Sequence, residues 1–200
     1  MAGLSLRDVE EATVRVLNQP DPFVAIEGNL VPVPKIHRAM KVLVGRLQDL
    51  RYRIYVISAS NEISVRIIVE NFYGIAPECA FGLEAKLVDG RLTQTLRTPY
   101  PISTGKADLF HKRIGNVRPL ITATDNLIDT PLIALTDSIG LSIWVGKNRG
   151  EFRLMKERLR LSQQFCLVQR PTDQNLRKMV RMFGEQWSKV PCPSSLFNET

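Results

Sequence analysis

The sequence predicts an α/β fold in which helices cover both faces of a parallel sheet, an architecture known as doubly wound. Three short apolar runs, at residues 54–57, 120–123 and 141–145, lack the alternation with polar residues that a half-exposed strand would have. Segments with helical spacing of apolar residues separate these runs, which indicates a parallel sheet. With 200 residues and 44% hydrophobic content, the chain has enough apolar surface for one substantial core, so we expect a single compact unit.

The N-terminal region precedes the first buried strand. Residues 4–18 repeat apolar positions at three- and four-residue steps and end before two prolines, which predicts a helix. Residues 23–33 are apolar and β-branched around a Gly-Asn pair, which predicts either a strand and a turn or a short hairpin. Residues 36–50 have one apolar helical face and lead directly into the run at 54–57, so a helix is expected to feed a buried strand.

The middle of the chain continues the alternation. A helix is predicted over residues 62–73, ending at Gly74, where a left-handed cap is easily adopted. Two short strands are predicted at 79–83 and 86–92, and an Asp-Gly pair inside the second indicates a hairpin turn.

The last third of the chain completes the predicted sheet. Helices are predicted at residues 106–114 and 130–136, each next to one of the two remaining apolar strands.

The net charge of +7 raises the question of a nucleic-acid partner. The densest basic stretch, residues 147–160, also holds two glutamates and spaces Phe152, Met155 and Leu159 as a helical core face would. No zinc-finger, RNP or helix-turn-helix pattern accompanies it. A solvated helix face is therefore the better interpretation, and we expect no nucleic-acid partner.

Cysteine usage and hydropathy narrow the class of protein further. Cys79, Cys166 and Cys192 are odd in number and lack CxxC spacing, so neither a disulfide framework nor a zinc site is predicted. No apolar run approaches the ~18 residues that a membrane span needs, and the N-terminus does not resemble a signal peptide. We expect a cytoplasmic protein with no membrane association.

Polar residues that follow the predicted strands are the candidate site residues, because the carboxyl ends of parallel strands meet at one edge of a sheet. Ser58 and Ser60 follow the first strand, Thr124 and Asp125 follow the second, and residues 146–148 follow the third. Each has a plain structural alternative, since small polar residues often cap helices at such turns. Ser58 could cap the helix at 62–73, and Asp125 could cap the helix near residue 130.

Three motifs, YVISAS, STGKADLF and ITATDNLIDTPLI, lie in this order on the predicted elements. With them the sequence resembles the haloacid dehalogenase superfamily of phosphatases, in particular its phosphoserine-phosphatase-like branch and the phosphorylcholine-phosphatase-like members of that branch. The resemblance implies that Ser58 and Ser60 bind the phosphoryl group of the substrate and that Lys106 stabilises the charges of the phosphoryl group and the nucleophile. It also implies that Asp125 and Asp129 ligate Mg²⁺. The structural alternative is that Lys106 is an ordinary solvated lysine.

The resemblance also implies a division of the chain. Residues 36–170 correspond to the family's core, including a short β-hairpin insertion that begins with FGLEAKLVDG. Residues 1–35 are either a remnant of the family's helical cap or the region of its first strand. Residues 171–200 are expected to form a C-terminal helix and tail.

The family's nucleophile motif, DxDx[TV], does not occur in this sequence. One interpretation places Glu27 at the nucleophile position and Asn29 at the position of the general acid, where neither residue type suits the chemistry. The other, which we favour, takes residues 4–35 as the end of the cap and places the nucleophile strand before Met1. Both predict weak or absent magnesium-dependent phosphomonoester hydrolysis.

A non-catalytic module on the same fold is the alternative function. It would bind a small phosphorylated metabolite or a protein through Ser58, Lys106 and Asp125. A sheet that lacks one strand exposes an unpaired edge, so a second copy of the chain or another strand-donating partner is also expected.

Overall fold

The computed structural model describes most of the region in which strands and helices alternate. The described residues are 2–18, 23–26, 29–32, 36–145, 149–159 and 165–167. The predicted C-terminal helix and tail at residues 171–200 therefore lie outside the described residues, as do Glu27 and residues 146–148. None of the described helices is long and apolar enough to cross a membrane.

The described residues form a mixed α/β fold. The helices are α1 Leu6–Leu17, α2 Arg38–Asp49, α3 Glu62–Tyr73, α4 Thr104–Arg113, α5 Thr130–Ile133 and α6 Arg149–Leu159. The strands are β1 Phe23–Ile26, β2 Asn29–Pro32, β3 Val56–Asn61, β4 Ala80–Leu83, β5 Ala85–Val88, β6 Arg91–Leu96, β7 Ile121–Thr124, β8 Leu141–Trp144 and β9 Phe165–Leu167. Helix α5 is shorter than the predicted 130–136; Thr136, just beyond it, donates its side-chain hydroxyl to the Ile133 carbonyl at 2.6 Å.

Local capping fixes the ends of two helices. Ser5 and Asp8 form a reciprocal capping box at the start of α1. At the start of α3 the side chain of Asn61 accepts hydrogen bonds from the backbone N–H groups of the next turn, and Gly74 closes the helix in the left-handed conformation. The interpretation of Ser58 as the cap of this helix is therefore wrong, because Asn61 is the residue whose side-chain oxygen reaches the free N–H groups.

The described strands form two parallel sheets and two antiparallel hairpins. Strand β3 pairs in parallel with β4, and β7, β8 and β9 form a second parallel sheet in that order. The segment at residues 23–33 is a hairpin in which β1 pairs with β2. A second hairpin joins β5 to β6. Among the described strands, β1 pairs with neither β3 nor β7, so Phe23–Ile26 does not connect the two parallel sheets.

Strand β8 lies at the centre of the core and is buried along its whole length. Successive side chains of a strand point to opposite faces, and the packing of β8 follows this alternation. Leu141 and Ile143 join a cluster with Ala39, Leu43 and Leu47 of α2. Trp144 packs on the other side with Ile133 of α5 and Met155 of α6. Helices therefore cover both faces of this sheet.

Helix α2 connects the two parallel sheets. Its Leu43 packs against β8, whereas its Val44 packs with Val65 of α3 and Ala80 of β4. Ile54, just before β3, contacts both of these clusters. Helix α4 contacts both β3 and α5, and α5 contacts β7. The two sheets are thus joined through helices.

The burial of the strand residues differs from that of one continuous parallel sheet in which β3 and β7 would be inner strands. The first three residues of β4 are buried, but no residue of β3 is, although β3 would be the inner strand. In β7, Ala123 is exposed, whereas every residue of its neighbour β8 is buried. Inner strands of a parallel sheet are normally buried on both faces. Among the described strands, β3 pairs with β4 alone and β7 with β8 alone, so the other edge of each strand is unpaired.

Candidate functional site

The candidate site lies where β3 and β7 end and α4 begins. Lys106 is in the first turn of α4, which contacts β3 and α5. Asp129 immediately precedes α5, and Thr124 is the last residue of β7. All three of these polar side chains are buried. The fold therefore brings together residues that are far apart in the sequence.

A buried ion pair is the centre of this arrangement. The Lys106 Nζ lies 2.7 Å from Asp129 Oδ1, and the two side chains are only 11% and 10% exposed. The other carboxylate oxygen, Oδ2, accepts a hydrogen bond of 2.7 Å from the Thr124 hydroxyl. Charge-assisted contacts of this length are the strong ones. The interpretation of Lys106 as an ordinary solvated lysine is therefore wrong, because Asp129 offers it a buried counter-charge.

Thr124 positions the turn as well as the carboxylate. Its hydroxyl oxygen accepts a hydrogen bond of 3.1 Å from the backbone N–H of Asn126, which forms a tight polar turn after β7. The Asn126 side chain in turn accepts from the backbone N–H of Ile128 at 3.0 Å. The sequence placed Thr124 at the end of its strand, but gave no sign that its hydroxyl would bind Asp129.

Asp125 and Asp129 occupy different environments. Asp125 is exposed, and among the described residues its side chain makes no hydrogen bond or ion pair. The idea that Asp125 caps the helix near residue 130 is wrong, because Asp129 occupies the N-cap position of α5 and Asn126 caps the 3₁₀ turn Leu127–Asp129 that precedes it.

The described residues do not fit a magnesium site. They contain no group of three or more His, Cys, Asp or Glu side chains that could hold a metal ion. The two carboxylate oxygens of Asp129 are already bound to Lys106 and Thr124. Mg²⁺ requires six oxygen ligands in near-octahedral geometry. We therefore derive no chemical step through a metal ion.

Ser58 and Ser60 lie at the end of β3. The Ser58 hydroxyl accepts a hydrogen bond of 3.1 Å from the backbone N–H of Ser60, so it helps to shape the turn into α3. Ser58 is half-buried and Ser60 is exposed. Although α4 contacts β3, no hydrogen bond joins the described side chains of Ser58 and Lys106. Among the described side chains, Lys106 therefore contacts Asp129 directly but makes no hydrogen bond with Ser58 or Ser60.

The backbone that leads to Lys106 is tightly constrained. Ser103 has φ +53° and ψ −123°, a conformation that costs a residue with a side chain on the order of 1–3 kcal/mol. A Cβ atom on Gly105 would overlap the carbonyl oxygen of Tyr100. Only glycine therefore fits directly before Lys106. Such strain persists where the surrounding structure fixes the backbone, and here it fixes the start of α4.

A second buried carboxylate, Glu62, was not identified from the sequence. It is 7% exposed; its Oε2 accepts from the backbone N–H of Gly82 at 3.1 Å, and its Oε1 lies 2.6 Å from an Arg66 guanidinium nitrogen. A Cβ on Gly82 would come within 2.6 Å of the Ser60 carbonyl oxygen. Glu62 and Gly82 therefore hold β4 closely against the turn that follows β3.

Comparison with known proteins supports the fold. No protein-family model and no curated protein matches the sequence. In structure, the chain is similar to a conserved, functionally unknown protein from Anaerococcus prevotii, with 18% identity and a TM-score of 0.68. That similarity covers 82% of this chain and 50% of the other, so the chain spans about half the length of the Anaerococcus protein.

A second solved structure is also similar in fold to this chain. A phosphoserine phosphohydrolase-like protein from Francisella tularensis subsp. tularensis shares 16% identity with a TM-score of 0.54, over 88% of this chain and 78% of the other. At such identities the likeness concerns the fold. It shows that this chain shares the α/β fold of that protein.

Proposed function

We propose that the chain is a haloacid-dehalogenase-like phosphatase relative, of the phosphoserine-phosphatase-like branch, that binds phosphomonoesters and hydrolyses them weakly or not at all. The observation that carries the proposal is the buried Lys106 at the edge where β3 and β7 end. Its ammonium group is the cation that a phosphoryl group would meet there. Ser58 and Ser60 would supply neutral hydrogen bonds to the same group.

Weak hydrolysis follows from the state of the carboxylates. Transfer of a phosphoryl group to an enzyme carboxylate requires an oxygen that is oriented and available for attack. Asp129 is held by Lys106 and Thr124, and Asp125 has no orienting hydrogen bond among the described residues. Neither carboxylate is therefore arranged as a nucleophile, whereas binding needs only the cation and hydrogen-bond donors.

Calorimetry with inorganic phosphate tests the binding site. We expect weak binding that Lys106→Ala lowers about tenfold or more and Ser58→Ala lowers less than tenfold, because a hydrogen bond to a charged group contributes about 1.5–3 kcal/mol and a neutral one about 0.5–1.5 kcal/mol. Lys41→Ala, at an exposed position of α2, is the matched control. The proposal fails if phosphate does not bind, or if Lys106→Ala and Ser58→Ala lose affinity equally.

An activity assay tests the hydrolytic part. With Mg²⁺ and phosphoserine or phosphocholine, we expect no more than trace release of phosphate. Glu27→Ala should not change that trace rate. Robust turnover that Glu27→Ala abolishes would contradict the proposal and identify Glu27 as a nucleophile.

A second candidate function is the acceptance of a strand from a partner chain. The edges of β3 and β7 that are unpaired among the described strands favour it, because each could form hydrogen bonds with an added strand. Hydrogen exchange tests the premise. Amides of β3 and β7 should exchange much faster than those of β8, and they should become protected when a second copy or another chain binds. Slow exchange in the isolated monomer would contradict an open edge.

A further inference from the structure

A pocket outside the candidate phosphate site lies at the base of the β5–β6 hairpin. Its volume is about 190 Å³, larger than a cavity of roughly 150 Å³ that holds benzene. The end of β4, the segment after β6 and the second half of α4 form its walls. We call it the hairpin-base pocket.

Positive charge dominates the hairpin-base pocket. Three of its lining residues, Arg97, Lys112 and Arg113, are cations, and two, Glu62 and Glu84, are carboxylates. Glu62 is already paired with Arg66, which lies outside the pocket. Glu84 is therefore the one lining carboxylate left to balance three cations. The pocket has the charge that attracts a small anion.

The contacts of Glu84 do not satisfy the two arginines fully. Its Oε1 lies 3.3 Å from Arg97 and its Oε2 lies 3.2 Å from Arg113. Both distances exceed the roughly 2.7–2.9 Å of a strong charge-assisted hydrogen bond. The side chains of Arg97 and Arg113 are also 60% and 41% exposed, so a ligand can approach them.

Two of the cations also have an ordering contact that involves no carboxylate. The guanidinium carbon of Arg113 lies 5.7 Å from the centroid of the Phe81 ring, within the range of a cation–π contact. Lys112 donates from Nζ to the carbonyl oxygen of Thr98 at 3.0 Å. Side chains that are already ordered lose less conformational entropy when a ligand binds.

We propose that the hairpin-base pocket binds a small organic dianion, such as a phosphomonoester or a dicarboxylate, through Arg97, Lys112 and Arg113. The planar donor forks of the arginines match phosphate and carboxylate oxygens. Leu109 and Pro99 line the same pocket and offer apolar contact to a short carbon chain. This site is separate from Lys106 and does not depend on the proposed function.

The test is an NMR titration of the full-length ¹⁵N-labelled chain with inorganic phosphate and, separately, with succinate. Binding in the pocket should shift the backbone amides of Gly82, Leu109 and Lys112. The double variant Arg97→Gln, Arg113→Gln should lose these shifts, whereas the exposed control Arg53→Gln should keep them. A response to both probes indicates a general dianion site, and a response to phosphate alone indicates a phosphomonoester site.

Glu84→Gln separates a ligand site from a purely structural network of ion pairs. Removal of the competing carboxylate should raise affinity for either anion about three- to tenfold at low salt, and added salt should reduce the gain. The proposal is overturned if neither probe shifts the pocket amides, or if Glu84→Gln, shown by its spectrum to be folded, binds no more tightly than the unmodified chain. If phosphate shifts the pocket amides of the unmodified chain but not the amide of Lys106, only the proposed function is refuted.

Discussion

The buried pair of Lys106 and Asp129 offers the sharpest test of the structure, because removal of either partner leaves the other charge without compensation. The two charged atoms lie 2.7 Å apart, and both side chains are about nine-tenths buried. Removing one member of such a pair costs about 3–5 kcal/mol. We expect Asp129→Ala to lie within this range, since it also removes the hydrogen bond from Thr124, and Lys106→Met to lie near its lower end.

The double variant Lys106→Met, Asp129→Ala should recover most of this loss, because no buried charge remains. Urea unfolding followed by circular dichroism measures the free energy of unfolding of all three variants. Glu11→Ala, which breaks the exposed Arg7–Glu11 pair, is the control and should cost less than about 1 kcal/mol.

Two outcomes would refute this reasoning. One is a loss of under about 1 kcal/mol for Asp129→Ala, the magnitude of a surface pair. The other is a double variant whose loss equals the sum of the two single losses, because uncoupled residues behave in this way.

Three further predictions concern stability. Gly105→Ala should cost about 1–3 kcal/mol and lower the melting temperature, because the new Cβ overlaps the Tyr100 carbonyl oxygen; an unchanged melting temperature would contradict the geometry. Trp144→Phe should cost less than about 2 kcal/mol in urea unfolding, because removal of the buried indole N–H, which has no partner among the described residues, offsets part of the cost of the smaller ring, and a larger loss would contradict this. The backbone N–H and hydroxyl of Ser5 hold the pKa of Asp8 below its ordinary value of 3.8. The stabilisation by Asp8 is therefore present above pH 3.8 and lost as the pH falls below it, so the stability difference from Asp8→Asn should be constant near neutral pH and shrink in acid.

Local signals in the sequence predicted some elements to the residue. Helix α3 runs from Glu62 to Tyr73 as expected, because its cap and its closing Gly74 are neighbours of the residues that they fix. The Asp89-Gly90 turn joins β5 to β6 for the same reason, since a two-residue turn depends on its own backbone preferences. The predicted helix at residues 130–136 was too long, because α5 ends at Ile133, whose carbonyl oxygen accepts a hydrogen bond from the Thr136 hydroxyl.

The candidate site was predicted only in part. Ser58 and Asp125 could be named because they follow apolar strands, whereas Lys106 and Asp129 could be named only through the resemblance to the haloacid dehalogenase superfamily. Their division into a buried, paired Lys106 and Asp129 and an exposed Asp125 could not be predicted, because burial depends on which helices pack above each residue.

The sequence by itself determined the local elements of this protein: the alternation of apolar strands with helices, the caps and the turns, all of which depend on residues within a few positions of each other. Only the tertiary structure decided that Lys106 pairs with Asp129 across 23 positions of sequence and that the described strands form two parallel sheets in which one edge of β3 and one edge of β7 are unpaired. The physical reason is that strand pairing and charge burial join distant segments, and composition or periodicity along the chain does not specify which segments meet.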